Sequence, residues 1–111
     1  MSTSYYDRHG LEDFPSIGEE APQLWEKFQA WNSAAFEEGA LGTREKALIG
    51  LAVAHAVQCP YCIDAYSRAS LENGSNLEQM TEAIHVAAAI TGGSTLVHGV
   101  QMREHVQRMS M

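Results

Sequence analysis

Ala54-His55-Ala56-Val57-Gln58-Cys59-Pro60-Tyr61-Cys62-Ile63-Asp64-Ala65-Tyr66 joins two segments that each read as helix. The turn between Val57 and Pro60 is so short that it allows only a helical hairpin or a sharp kink. From Ala47 to Val57 only His55 is strongly polar, and a helix apolar nearly all round is buried on all sides. In a small domain that describes a central helix, aided by oligomer contacts. Thr43 reads as its N-cap, with Glu45 in the first turn, where the dipole favours negative charge. Gly50 in its middle costs about 1 kcal/mol relative to Ala. Close approach of another helix is a reason for a glycine there.

On the far side, a helix opens at the cysteine pair and runs through Ile63, Ala65, Tyr66, Ala69, Ser70 and Leu71. Asn73-Gly74 stops it, with Gly as a left-handed cap. Ser75-Asn76-Leu77-Glu78 reads as a capping box. The helix it starts carries Met80, Ala83, Ile84, Ala87 and Ala88 at core spacing and ends at Gly92-Gly93. A last helix spans Ser94 to Met109, with Leu96, Val97, Val100 and Met102 inward. Before the hairpin, Ala21 to Glu38 reads as helix, with Pro22 in its first turn and Gly39 beyond its end. Leu24, Phe28, Trp31 and Ala35 form its core stripe, while Trp25 and Phe36 fall off it and imply a second covered face. Residues 1–17 read as an arm holding Tyr5, Tyr6, Leu11, Phe14 and Ile17. No strand-like alternation and no repeat is present. The expectation is an all-α fold of about five helices, an arm over 1–17 and one domain over 18–111.

The chain has 111 residues, 45% of them hydrophobic, and a net charge of −7 without a Lys/Arg cluster. Nucleic acid and anionic membrane are therefore poor partners. No run of about 18 apolar residues exists, so no membrane span is expected. The N-terminus lacks the basic start and apolar stretch of a signal peptide, which points to the cytoplasm. In that reducing compartment a CxxC is more often catalytic or metal-binding than structural.

Cys59 and Cys62 are the only cysteines. A thiol acts as a nucleophile only as thiolate, and a helix N-terminus lowers its pKa with unpaired N–H groups and the dipole. Pro60 suits the first helical position, which makes Cys59 the N-cap and sets Cys62 one turn in. Such a pair can cycle between dithiol and disulfide. Three other readings compete. As a staple the bridge closes a four-residue loop worth only about 2 kcal/mol. As a structural zinc site it lacks a fourth ligand. As buried thiols the two would be inert.

If the chain folds back, His55 lies about one turn before the join and Cys62 one turn after it. His55 is then the candidate base or proton shuttle, against a neutral His bonded to a backbone carbonyl. Tyr66, one turn beyond Cys62, could bond a sulfur, a water or Glu45. Glu45 is either a proton relay with a raised pKa or a stabiliser of its helix start. Tyr61 covers the site. His85 and His98 read as satisfied core histidines, and His9 and His105 as exposed.

Thr43-Arg-Glu-Lys-Ala-Leu-Ile-Gly-Leu-Ala-Val-Ala-His55-Ala-Val-Gln-Cys59-Pro-Tyr-Cys62-Ile-Asp-Ala-Tyr66, with Glu82-Ala-Ile-His-Val-Ala-Ala-Ala-Ile-Thr-Gly-Gly downstream, resembles the alkylhydroperoxidase D-like branch of the carboxymuconolactone decarboxylase family. The resemblance covers roughly residues 20–105. The whole chain looks most like its arsenosugar biosynthesis-associated peroxidase-like subgroup. The resemblance implies an all-α fold that assembles into trimers or hexamers. It implies a CxxC that reduces hydroperoxides or exchanges with disulfides, reset by a thiol partner, with no metal, haem or flavin. In the family's peroxidase a Glu and two His residues relay protons. Here those positions hold Ala47, Tyr61 and Tyr66, so only Cys59 and Cys62 carry over. Glu45 and His55 are the available substitutes.

The expected function is a thiol-dependent oxidoreductase. The helix N-terminus favours Cys59 as the attacking sulfur, and exposure in an oligomer would favour Cys62. A dithiol that binds arsenite or a soft metal without turnover is the alternative. A decarboxylase ranks below both, since no basic cluster is present to hold a dicarboxylate. A helical oligomer with a vestigial CxxC is the remaining reading.

Overall fold

The structure, a computed structural model, describes residues 12–110. Tyr5, Tyr6, His9 and Leu11 lie outside the described residues. Among the described residues there is helix and no strand: a short 3-10 turn at Phe14–Gly18, then α1 (Pro22–Phe36), α2 (Thr43–Ala56), α3 (Pro60–Glu72) and α4 (Leu77–Met109). The all-α expectation holds, and five helical segments result only when the 3-10 turn is counted.

α2 is the centre. It pairs with α3 as a hairpin and packs against α4, while α1 touches it more lightly. Ala47, Leu51 and Ala54 recur at the helical period and are buried, with Met80 and Ala87 buried on α4 and Ser70 on α3. Four of these six side chains are no larger than serine, so the backbones come close and Leu51 fills what space remains. The other face of α2 departs from the expectation of burial all round. Ile49, Val53 and Val57 are about half exposed or more, because no element among the described residues covers them.

Local signals place the helix ends, with two shifts of one residue. Gly42, not Thr43, is the N-cap of α2, and the Glu45 carboxylate accepts the Gly42 N–H. The α4 capping box is Asn76 with Gln79, not Ser75 with Glu78. The Asn76 Oδ1 accepts the Gln79 N–H at 2.8 Å and the Gln79 Oε1 accepts the Asn76 N–H at 2.9 Å. The cause is Gly74. Its φ of 89° makes it the residue after the α3 cap, and Ser75 N–H returns to Ser70 O at 2.9 Å. Ser75 is thereby consumed by the end of α3, and Asn76 is the first residue free to cap.

Gly92-Gly93 does not end a helix. α4 continues through it for 33 residues, about 50 Å. Glycine weakens a helix by about 1 kcal/mol but ends one only by turning left-handed, and the only positive-φ glycine among the described residues is Gly74. The second half of α4 therefore projects past the body. Leu96 is 76% exposed, and Val97, Val100 and Met102 are exposed rather than inward. His85 and His98 are also exposed, not core histidines. The continuous α4 is long and apolar enough, by length and composition, to cross a membrane, which the break at Gly92-Gly93 concealed. Its first half is instead seated on α2.

On α1 the expected stripe is inverted. Leu24 and Trp31 are more than 70% exposed, and the half-buried aromatic residues are Trp25 and Phe36. Trp25 meets Phe14 edge-on at 4.9 Å, and Phe36 stacks on Tyr66 at 5.0 Å. The apolar period reports a face that wants cover, and the described residues cover only the flanks of it.

Candidate functional site

Cys59 belongs to two helices at once. α2 ends in a Schellman motif. The Gln58 N–H donates to His55 O at 3.1 Å and the Cys59 N–H to Ala54 O at 3.0 Å. Gln58 follows the cap residue Val57 and takes a left-handed φ of 57°. Glycine is the usual occupant there, and for another L-residue the conformation costs about 1–2 kcal/mol. The chain then turns straight into α3. Cys59 is its N-cap in an extended conformation, Pro60 stands in its first turn, and Ile63 N–H donates to Cys59 O at 2.9 Å. The Cys59 Sγ accepts the Cys62 N–H at 3.2 Å. A thiolate at Cys59 would receive that bond together with the positive end of the α3 dipole.

Cys59 and Cys62 are joined as a disulfide across a Cα–Cα distance of 5.2 Å. Their two environments differ. Cys62, but not Cys59, lines a cavity of about 390 Å³ between the end of α1, α2 and α3. Its walls include Phe36, Gly50, Val53 and Tyr66 and are almost wholly apolar; Lys46 stands on the lining as its one charged side chain. Gly50 lets the aromatic rings approach α2 closely here. A Cβ at this position would lie 3.0 Å from the Tyr66 ring and 3.2 Å from Phe36. The close neighbour is thus an aromatic pair rather than a helix backbone. Burial of the Tyr66 hydroxyl raises its pKa above the usual tyrosine value.

Among the residues singled out from the sequence, Cys59, Cys62 and Tyr66 come together. Glu45 does not join them. It is exposed, holds the start of α2 through Gly42, and does not line the cavity. His55 is half-buried and its Nδ1 lies 2.9 Å from Leu51 O. A carbonyl only accepts, so Nδ1 is the donor in this contact. His55 is about 100° around α2 from the lining residue Ala54 and is not itself on the lining. Ala47, at the relay-glutamate position of the resemblance, is buried in the α2 core at 3% exposure, where a carboxylate would have no room. Phe36 and Lys46 are among the cavity residues that sequence reasoning did not assign to the site. The signal for Lys46 was its spacing, four residues before Gly50 and eight before Ala54 on one face of α2. Among the described residues, no group of three or more His, Cys, Asp or Glu side chains could hold a metal ion.

The carboxymuconolactone decarboxylase family pattern matches residues 22–104. A crystal structure of a protein from Methanobacterium thermoautotrophicum superposes with a TM-score of 0.74 at 35% identity, covering 78% of this chain and 97% of that one. A carboxymuconolactone decarboxylase family protein from Legionella pneumophila, solved in its apo form, superposes with a TM-score of 0.67 at 30% identity, covering 81% of this chain and 80% of that one. A Paracoccus denitrificans protein described as uncharacterized protein 4 in the cox locus is 42% identical over 71 residues, 64% of each chain. An uncharacterized protein of Haemophilus influenzae is 34% identical over 59 residues, 53% of this chain and 52% of its own. The chain thus matches less than two thirds of the length of either of these two relatives.

Proposed function

The chain belongs to the carboxymuconolactone decarboxylase family, and within that family we propose that it is a thiol-dependent oxidoreductase, alkylhydroperoxidase-like, that reduces hydroperoxides by cycling Cys59 and Cys62 between dithiol and disulfide. The observation that carries this reading is the unequal placing of the two sulfurs. Cys62 faces an apolar cavity, and Cys59 caps a helix with its Sγ on a backbone N–H.

The division of labour follows from that placing. The Cys62 thiolate attacks the terminal oxygen of the hydroperoxide. The O–O bond breaks, the alkoxide takes a proton and leaves as alcohol, and Cys62 becomes a sulfenic acid. The Cys59 thiolate then attacks the Cys62 sulfur. The S–O bond breaks, water leaves, and the disulfide forms. Two electrons and two protons come from the dithiol. On reset, one sulfur of an external dithiol attacks Cys62 through the cavity and Cys59 departs, since the better stabilised thiolate is the faster leaving group. The second sulfur of that dithiol then attacks the mixed disulfide, which frees Cys62 and leaves the donor oxidised. This revises the expectation that Cys59 attacks first. Tyr66 lines the cavity, and its phenol, protonated at neutral pH, is the donor to the leaving oxygen. The cycle needs no metal, haem or flavin and belongs in a reducing compartment such as the cytoplasm.

The uncovered stripes on α1, α2 and α4 support assembly into a homo-oligomer, trimer or hexamer, rather than insertion into a membrane. α4 already commits its first half to the α2 core.

The test is hydroperoxide consumption by the dithiothreitol-reduced protein, with Cys59→Ser and Cys62→Ser. Turnover is expected to vanish in both. Cys59→Ser should still form a sulfenic acid on Cys62, trapped by dimedone and located by mass spectrometry. Undiminished turnover in Cys62→Ser sinks the mechanism. Stoichiometric arsenite binding without turnover would favour the dithiol-binding reading instead.

A further inference from the structure

Resting on the dithiol reading, we infer that the cavity selects an amphiphilic substrate, an apolar hydroperoxide that ends in a carboxylate, with Lys46 as the residue that holds the anionic end. Three observations converge on this. The cavity volume of about 390 Å³ falls within the range of small-molecule sites. Its lining is almost wholly carbon from Phe36, Gly50, Val53, Val57 and the Tyr66 ring, which gives an alkyl chain a dry wall that hydrogen peroxide does not exploit. Its one charged side chain is a cation.

The two functional groups stand toward opposite ends of the groove. Cys62 is in the first turn of α3, at the join with α2. Lys46 is in the first turn of α2, at the other end of the hairpin. Along α2, Lys46 and the lining residue Ala54 are eight residues apart, about 12 Å. A chain lying along this face therefore presents one end to the sulfur and the other to the ammonium. Lys46 is also held in place. Its Nζ donates to the Glu37 carbonyl in the loop after α1. An ammonium has three donors, so two remain for a carboxylate. Glu37 contributes its backbone oxygen rather than its carboxylate to this contact.

Selection by Lys46 is a matter of binding rather than chemistry, which allows it to be tested apart from turnover. Decanoate and decanol differ in the end group and carry no reactive oxygen. Binding of each to the oxidised, oligomeric protein is measured by calorimetry at low and high salt. Decanoate is expected to bind roughly two- to fivefold more tightly than decanol at low salt, the scale of one partly exposed ion pair. The advantage should shrink at high salt. Lys46→Met keeps the apolar stem, and is expected to lose the preference for decanoate while still binding decanol. Lys46→Arg is expected to keep it. The salt comparison needs no variant, so a misfolded Lys46→Met leaves the outcome decidable. Equal binding of the two ligands, binding of neither because a second copy fills the groove, or a preference that survives Lys46→Met overturns the inference. Reduction of tert-butyl hydroperoxide, which has no anionic end, reports on the dithiol cycle separately. Loss of that activity with the decanoate preference intact would fault the cycle and leave the site assignment standing.

Discussion

The sharpest expectation concerns Gln58. Its left-handed φ of 57° holds the α2 end closed and delivers Cys59 to the start of α3. The same motif ends α3, where the equivalent residue is Gly74. One protein thus contains the motif with and without its usual glycine. For a non-glycine residue the left-handed conformation costs about 1–2 kcal/mol. Glycine at that position gives back about 0.5–1 kcal/mol through the freedom of the unfolded chain. Gln58→Gly is therefore expected to stabilise the oxidised protein by about 0.5–1 kcal/mol. Gln58→Val puts a β-branched side chain in the same conformation and is expected to destabilise it by a further 1–2 kcal/mol or so. Asn, which tolerates the left-handed region, should fall between Gly and Gln. The assay is urea unfolding followed by circular dichroism, at one protein concentration throughout, because assembly would make stability depend on concentration. Reaction of Cys59 and Cys62 with an alkylating agent after reduction then shows whether the site has kept its geometry. A valine variant as stable as the parent, or a glycine variant less stable by more than about 1 kcal/mol, would refute the account of this turn.

Three further outcomes follow from the packing. Leu51, 1% exposed between α2 and its neighbours, should cost about 3–4 kcal/mol as Leu51→Ala, read by the same unfolding assay. Tyr66 has its pKa raised by burial, so the folded protein holds this proton more tightly than the unfolded chain does. Stability from this source is complete below about pH 10, the ordinary tyrosine value, and is lost as pH rises through the higher folded value. Tyr66→Phe should flatten that alkaline slope. Paired changes Val97→Asp and Val100→Asp on the exposed half of α4 should lower the sedimentation mass without detergent; an unchanged mass would show that this stripe is not the assembly face.

The hairpin was legible in the sequence because its signals are local. Pro60 after Cys59, Asn73-Gly74 and the polar residues that follow each act on the backbone within one turn. Cys59 and Cys62 were legible for the same reason. Tyr66 was reached by counting one helical turn. Phe36 was not found, since it reaches the cavity only through the way α1 closes on α2, and no spacing within one helix encodes that. The spacing of Lys46 puts it on the face of Gly50 and Ala54 but does not reveal that this face borders a cavity. The α1 stripe misled in a different way. Periodicity at Leu24, Phe28 and Trp31 shows that a face is apolar and says nothing about what will cover it. At Gly92-Gly93 the composition suggested a stop, but no left-handed residue or returning N–H was there to make one.

The join at Cys59 leaves the chain with no slack. Most connections between helices have residues to spare, so their length can drift without disturbing what they connect. Here the last hydrogen bond of α2 and the first cap of α3 use the same residue. One residue inserted after Gln58 would break the Schellman closure or the cap. It would also turn α3 by about 100° relative to α2, carrying Cys62 and Tyr66 away from the cavity together. The loop from Glu38 to Leu41 has no such double duty and can absorb an insertion. The tight end of the hairpin is therefore a length gauge, and the register of the reactive sulfur is set by counting residues rather than by any contact the sulfur makes.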